Sequence, residues 1–246
     1  MGAVVGPVAP GGNDRALAAV LRALRRALPL LLAPRLIGAL AAWMGAALVF
    51  WLVVGLLLYA PATAALVQVM GTGIGERIAA ALVVIAALAV AAVLSALVAI
   101  AVFTMPTIVR LVSARHFPAL ERRRGGTWHG SVRNALVAVA VFVPLWLASF
   151  LLLAVPPLYL AVSWCITGWL NQRLFGYDAL AEHADRAELA ALLRARRGRL
   201  VLLGVLLAPL TLVPIVNLVL PLFAGVAFAC LCLDELARYR ALHPAA

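Results

Sequence analysis

The sequence lacks lysine, and its long apolar segments lack charged residues altogether. All twenty of its cationic side chains are arginines, and four segments contain no Asp, Glu, Arg or Lys: 36–75, 78–109, 134–172 and 200–233. Of the 246 residues, 66% are hydrophobic and only 12% are charged. Soluble proteins are typically about half apolar, and an uncharged run of roughly 18 residues or more is typical of a membrane helix. The composition therefore predicts an integral membrane protein.

Catalytic and metal-binding patterns are also missing. The sequence contains no His-Glu-x-x-His, Cys-x-x-Cys or Gly-x-Ser-x-Gly motif. Cys165, Cys230 and Cys232 all fall in apolar runs, and the four histidines are scattered through polar segments. We therefore expect no catalytic residue, no metal site and no cofactor. The absence of a carboxylate from the apolar segments also argues against a proton-driven pump.

The arginines lie almost entirely on one side of the apolar segments. Nineteen of them flank the predicted cytoplasmic ends, and only Arg77 falls on the opposite side. The positive-inside rule then predicts that both termini and the polar segments 107–134 and 177–199 face the cytoplasm of a bacterial inner membrane. A pI near 11.3 would suggest nucleic acid for a soluble protein. Here topology and anionic lipid explain the charge, so we expect the bilayer and not nucleic acid as the partner.

Two uncharged segments are long enough to cross a membrane as single helices. They are residues 36–59 and 78–103, joined by a predicted loop of low charge, 60–77. Residues 1–13 are rich in Gly and Pro and are predicted to be disordered. In residues 14–28, the leucines fall on one face of a helix and the arginines on the rest, which predicts an amphipathic helix in the headgroup layer. The alternative is a simple cytoplasmic segment that precedes the first membrane helix.

Two further apolar segments, 135–173 and 200–233, are interrupted by uncharged proline turns. The first turn is Pro156-Pro157, and its returning arm, 158–170, reaches only about 20 Å as a helix, short of a hydrocarbon core of about 30 Å. We therefore predict helical hairpins partly inserted from the cytoplasmic side, with two full spans as the alternative. The predicted fold is an all-α membrane domain over 14–240, containing two long transmembrane helices and two hairpins, followed by a tail over 241–246.

The two polar segments contain recognisable helix-end signals. Gly125-Gly126 predicts a turn, and Thr127 can cap the helix that follows it. Asp185 and Glu188 have the spacing of a capping box, and Gly198 is placed to end the helix that this box begins.

The order of two long helices and two proline-turned hairpins resembles the CysZ-like, or etoposide-induced 2.4, family of membrane proteins, over about residues 15–240. VPIVNLVLP is similar to the proline–asparagine–proline segment of the last hairpin in that family, with Pro214, Asn217 and Pro221 at the matching positions. FGYDAL resembles the aromatic–aspartate element after the third hairpin arm and contributes Asp178. FPALERRRGGTWHGSV is closer to a proteobacterial branch of the family than to the sulfate permease itself.

The resemblance implies a channel-like or permease-like inner-membrane protein for a small inorganic anion, with sulfate as the substrate of the family. The permease branch has a basic pair at the start of its first long helix, where this chain has only Arg35. The candidate anion-binding or pathway residues are Arg35, Asn217, Pro214, Pro221 and Asp178. The alternative function is a structural or scaffolding membrane protein whose basic cytoplasmic face binds anionic lipid or protein partners.

We also expect a homo-oligomer. Hairpins that end inside the bilayer leave tips that a single copy covers poorly. Gly38, Ala42 and Ala46 recur at every fourth position, which permits a second helix to approach closely.

Overall fold

The computed structural model describes residues 12–243, and these residues form helices joined by short turns, with no strand among them. The predicted all-α class is confirmed. The α-helices are α1 (Gly12–Leu30), α2 (Pro34–Met70), α3 (Ile74–Phe103), α4 (Met105–His116), α5 (Trp128–Ser149), α6 (Pro156–Ala181), α7 (Arg186–Ala195), α8 (Arg197–Leu207) and α9 (Pro214–Leu242). Short 3₁₀ segments follow α5 (Phe150–Ala154) and α8 (Ala208–Leu212). The predicted disorder of residues 1–13 lies outside the described residues, except that Gly12 and Asn13 begin α1.

The chain forms two compact units. One comprises Met1–Ala33 together with Met105–Ala246, and the other comprises Pro34–Thr104. We call them the bundle unit and the hairpin unit.

The hairpin unit consists of α2 and α3 packed along each other. The Trp51 indole donates a hydrogen bond to the Ser95 hydroxyl at 2.8 Å, and Trp43 stacks on Phe103 with ring centroids 4.7 Å apart. Outward side chains such as Leu56 are large, apolar and exposed. A helix pair of this composition, exposed over most of its surface, requires lipid around it.

The prediction of a loop over 60–77 is wrong. α2 continues through Pro61 to Met70, and only residues 71–73 separate it from α3. Just after Pro61, the Thr63 hydroxyl donates a hydrogen bond to the Tyr59 carbonyl at 2.7 Å. Gly71 makes the turn with φ of 121°, a conformation that favours glycine.

The bundle unit is built around α9. Residues such as Val226, Phe228 and Leu231 are completely buried, and α1, α4, α6 and α8 all contact this helix. A helix that is apolar on every face belongs in an interior. Phe175 of α6 stacks on Phe228 with ring centroids 5.6 Å apart, which fixes the register of α6 against α9.

The helices of both returning arms extend beyond the apolar runs that contain them. α6 has 26 residues and α9 has 29, because polar residues near the ends of the apolar runs remain helical. In α6, for example, the Arg173 carbonyl accepts a hydrogen bond from the Asn134 side chain of α5 at 2.6 Å. A helix of 26 residues extends about 39 Å, but α6 includes the charged Arg173 and Asp178 beyond its apolar run, so partial insertion of the first hairpin stays a prediction.

Four described segments are long and apolar enough to cross a membrane: Pro34–Met70, Ile74–Val93, Trp128–Ala154 and Val219–Leu242.

The polar segment before α5 is held by its backbone. The N–H groups of Arg124 and Gly125 donate to the carbonyls of Glu182 and Ala184 at 3.1 and 2.8 Å. A side chain at Gly125 would strike the backbone of Asp185, so this glycine permits close approach, and the left-handed residue is Arg124 with φ of 48°. The prediction of a turn at Gly125-Gly126 is therefore wrong. These residues belong to an extended segment that packs on the α6–α7 connection.

The predicted helix caps are mostly confirmed. Thr127 caps α5 by accepting from the Gly130 N–H at 3.1 Å. Asp185 and Glu188 form the predicted capping box. Gly198, however, lies inside α8, and the break between α7 and α8 falls at Arg196.

Candidate functional site: pathway residues and the buried charge clusters

Arg35 lies in the first turn of α2, and its side chain is exposed. Within residues 12–243, no carboxylate forms an ion pair with it. The unpaired N–H groups at the start of α2 add a partial positive charge at the same end of the helix. An uncompensated guanidinium beside a helix N-terminus can attract a small anion.

Asn217 lies in the first turns of α9, four residues before Pro221. Its backbone N–H donates to the Val213 carbonyl at 2.9 Å, and its side chain is half-buried. Pro221 has no N–H, so the carbonyl left without a helical partner is that of Asn217 itself. Pro214 begins the helix, which suits the fixed φ of proline.

Asp178 connects α5 to α6. One of its carboxylate oxygens accepts a hydrogen bond from the Ser131 hydroxyl of α5. Burial raises the pKa of the Asp178 carboxyl, while the bond from Ser131 acts in the opposite direction. This contact gives Asp178 a role in helix packing that the sequence did not indicate.

The structure does not bring Asp178 and Asn217 together. The Cys232 thiol of α9 lies 4.0 Å from the Gly176 carbonyl of α6, so the Asp178 end of α6 is level with Cys232. Asn217 precedes Cys232 by 15 residues in the sequence, which corresponds to about 22 Å along a helix. Arg35 belongs to the hairpin unit, whereas Asp178, Pro214, Asn217 and Pro221 belong to the bundle unit.

Sequence reasoning missed a buried charge cluster centred on Glu188. The Arg240 guanidinium binds both carboxylate oxygens of Glu188, each at 2.8 Å, and Arg123 binds one of them at 3.2 Å. Arg240 also donates to the His183 and Glu121 carbonyls at 2.7 and 2.9 Å. The hydrogen bond from Arg240 holds the pKa of Glu188 below its usual value.

Two neighbouring carboxylates in α9 are paired in the same way. Glu235 is buried and forms ion pairs with Arg196, at 2.9 Å, and with Arg199. Asp234 pairs with Arg26 of α1 at 3.2 Å and with Arg238 at 3.0 Å. The sequence does contain one indication that these carboxylates are buried. Asp234 and Glu235 directly follow the apolar segment 200–233, and the apolar pattern resumes at Leu236. Carboxylates buried within a helix require charged or hydrogen-bonding partners, and here most of them come from outside α9.

The described residues contain no arranged set of metal ligands. Over the described part of the chain, no group of three or more His, Cys, Asp or Glu side chains could hold a metal ion.

An exposed apolar hairpin, a buried apolar central helix and, among the described residues, ion pairs that all lie outside the uncharged apolar segments together define a multi-pass helical membrane protein. Comparison with protein-family models shows which kind. The chain belongs to the family described as Sulfate transporter CysZ/Etoposide-induced protein 2.4, whose model matches residues 23–221. No curated protein and no solved structure matches the chain.

Proposed function

We propose that the protein is a channel-like or permease-like inner-membrane protein for a small inorganic anion, with sulfate as the first candidate. The family match over residues 23–221 carries this proposal, because the family description names a sulfate transporter. Arg35 supports it, since its exposed guanidinium has no carboxylate partner among the described residues. The uncharged apolar segments favour passive movement down a gradient over proton-driven transport.

Uptake of radiolabelled sulfate by proteoliposomes that contain only this protein tests the proposal directly. Arg35→Gln should reduce the flux, and the reduction should be greatest at low salt, because an exposed charge is screened over about 8–10 Å at physiological ionic strength. Arg194→Gln is the matched control, since Arg194 is also exposed and also lies on the predicted cytoplasmic side. Flux equal to that of protein-free liposomes would support the scaffolding alternative.

Asn217 separates a pathway role from a structural role. If its amide contacts the anion, Asn217→Ala should lower sulfate flux per folded molecule while the melting temperature changes little. If the amide only supports the backbone near Pro221, flux should fall only in proportion to the amount of folded protein. Normal flux in both Asn217→Ala and Arg35→Gln would exclude these two residues as the anion route.

We also propose a homo-oligomer that uses the stripe Gly38, Ala42 and Ala46. All three residues are exposed on α2, and a side chain at Gly38 would meet no atom within 4 Å. Ala42→Leu should lower the oligomer fraction in detergent, whereas Ala89→Leu, at an exposed position of α3, should leave it unchanged. A purely monomeric wild-type protein would contradict the proposal.

A further inference from the structure

The bundle unit contains a cavity of about 640 Å³ lined by five arginines, which we call the arginine pocket. Arg15 and Arg22 come from α1, Arg196 from the break before α8, Arg199 from α8, and Arg238 from the end of α9. Cavities that bind small organic molecules commonly have volumes of about 300–1,000 Å³. The pocket is therefore large enough for a ligand.

The carboxylates near the arginine pocket do not neutralise it. Glu235 holds Arg196 and Arg199, and Asp234 holds Arg238. For Arg15 and Arg22, no ion pair is formed with any residue that the structure describes, and both side chains are exposed. Five guanidiniums thus converge on one cavity that the Glu235 carboxylate also lines, while Asp234 pairs with Arg238 and is shared with Arg26.

Membrane topology requires a number of arginines on the cytoplasmic side but does not require them to converge. Arg194 and Arg197, for example, are exposed and lie outside the pocket. Bringing like charges together costs free energy, and an anion in the pocket would offset that cost. The planar guanidinium matches a phosphate group with two parallel hydrogen bonds.

α1 has three faces that place the arginine pocket beside an apolar surface. Ala19, Val20 and Ala23 belong to the buried face, by which α1 contacts α8 and α9. Arg15, Ala18 and Arg22 form the second face and line the pocket. Leu17, Leu21 and Leu28 form the third face and are 44%, 49% and 63% exposed. An exposed leucine face next to an arginine face is typical of a helix at a membrane surface, with leucines in the acyl boundary and arginines at the headgroups.

We propose that the arginine pocket is a binding site for a phosphate group. The exposed leucines of α1 make an anionic lipid headgroup the expected source, and a soluble phosphate compound is the other source of the same chemistry. Ala18 and Leu242 give the pocket an apolar wall, which suits the glycerol and first methylenes of a lipid. Arg35 is not among the residues that line this site, and the proposal does not depend on anion flux.

Isothermal titration calorimetry on the full chain in a mild non-ionic detergent tests the proposal with three probes. Dioctanoyl phosphatidic acid carries both chains and phosphate, dioctanoylglycerol carries the chains alone, and glycerol 3-phosphate carries the phosphate alone. Phosphatidic acid should bind, more weakly as salt is raised, and dioctanoylglycerol should not. If glycerol 3-phosphate binds as tightly as phosphatidic acid, the phosphate site is supported with a soluble source. Binding of phosphatidic acid alone supports the site with a lipid source.

The double variant Arg15→Gln/Arg22→Gln should weaken binding of phosphatidic acid by about tenfold or more, because it removes the two guanidiniums that have no carboxylate partner. The matched control is Arg25→Gln/Arg194→Gln, which removes the same charge from two exposed positions outside the pocket. The control should change the affinity by no more than about twofold. Absence of binding by the wild-type protein, or equal weakening in both double variants, would overturn the proposal.

Discussion

At the scale of single residues, stability depends on a few buried carboxylates and one buried histidine. Glu188 and Glu235 are almost fully buried, and each is bound by two arginines. Such pairs contribute little net stability relative to an apolar replacement, but breaking one leaves a buried charge without a partner. We infer that their main effect is to fix which helices meet, because each pair joins different elements of the chain.

Glu188→Gln should lower the free energy of unfolding by about 2 kcal/mol at neutral pH, less than for a fully buried pair because Arg123 is partly exposed. Glu121→Gln is the control, since its side chain is 70% exposed and its pair should contribute less than about 1 kcal/mol. Thermal unfolding in detergent measures both.

The contribution of Glu188 also has a defined pH dependence. Its folded pKa is lowered from 4.5, so its stabilising contribution is fully present above about pH 4.5. That contribution is lost as the pH falls through the lower pKa of the folded state. The difference between wild type and Glu188→Gln should therefore disappear in acid, and a difference independent of pH would contradict the ion-pair assignment.

His183 should make the protein sensitive to acid in a higher pH range. Its side chain is completely buried and neither ring nitrogen has a hydrogen-bond partner among the described residues. Burial lowers the pKa of His183 from 6.5, Arg122 and Arg240 add to this effect, and Glu182 opposes it. Below about pH 6.5 the unfolded chain gains a proton that the folded chain does not, so stability falls as the pH falls.

His183→Leu should reduce the loss of stability below pH 6.5, leaving the part due to His116, whose pKa is also lowered by burial. It should raise stability at pH 7 by about 1 kcal/mol, because an unpaired polar group is no longer buried. His129→Gln, at an exposed position, should change neither quantity. Melting temperatures measured between pH 7.5 and 5 report both. A melting curve for His183→Leu that shifts with pH as the wild type does would rule out His183 as the titrating group.

At the scale of helices, the bundle unit depends on one close crossing. Gly168 of α6 and Gly204 of α8 meet so tightly that a Cβ at Gly204 would lie 2.6 Å from the Gly168 carbonyl oxygen. The obstructing atoms are backbone, so the helices themselves would have to separate. Small residues at such crossings allow apolar helices to gain packing contacts that lipid would otherwise supply.

Gly204→Ala should therefore lower the free energy of unfolding by about 3 kcal/mol, the upper part of the range for an overpacked core. Gly198→Ala is a control on the same helix, because nothing lies within 4 Å of a Cβ at Gly198. Alanine is the better helix former by up to about 1 kcal/mol, so this control should be neutral or stabilising. Equal destabilisation by both substitutions would show that the crossing is not tight.

At the scale of the whole molecule, the arginine asymmetry remains the basis of the predicted topology. A cysteine at His129 should be labelled by an impermeant reagent only from the cytoplasmic side, and a cysteine at Thr72 only from the outside. Both positions are exposed. The background should be Cys165→Ser with Cys230→Ala and Cys232→Ala, because Cys165 is itself exposed. Labelling of the His129 cysteine from outside would reverse the topology.

The apolar runs predicted the all-α class and the presence of helices long enough to cross a membrane, and the prolines of the two turns stand where α6 and α9 begin, at Pro156 and Pro214. These features are local, because the length of an uncharged run and the missing N–H group of a proline have the same effect whatever the rest of the chain does. The same local signals also predicted the caps at Thr127 and Asp185. Helix ends were less predictable, since α2 continues to Met70 and α6 to Ala181. Beyond its apolar run, α6 is joined to α5 by the Asn134–Arg173 hydrogen bond, which links residues distant in the sequence.

Only the tertiary structure decided which charges meet. Arg240 lies 52 residues from Glu188 in the sequence, and Arg26 lies 208 residues from Asp234. From the sequence one can count the arginines on each side of the membrane. That count predicts the topology but not which carboxylate each arginine binds. Pairing and convergence depend on helix crossings such as Gly168–Gly204 and on α9 at the centre of the bundle. For that reason the Glu188 cluster and the arginine pocket emerged from the fold, while Arg35 and Asn217 could be proposed from sequence alone.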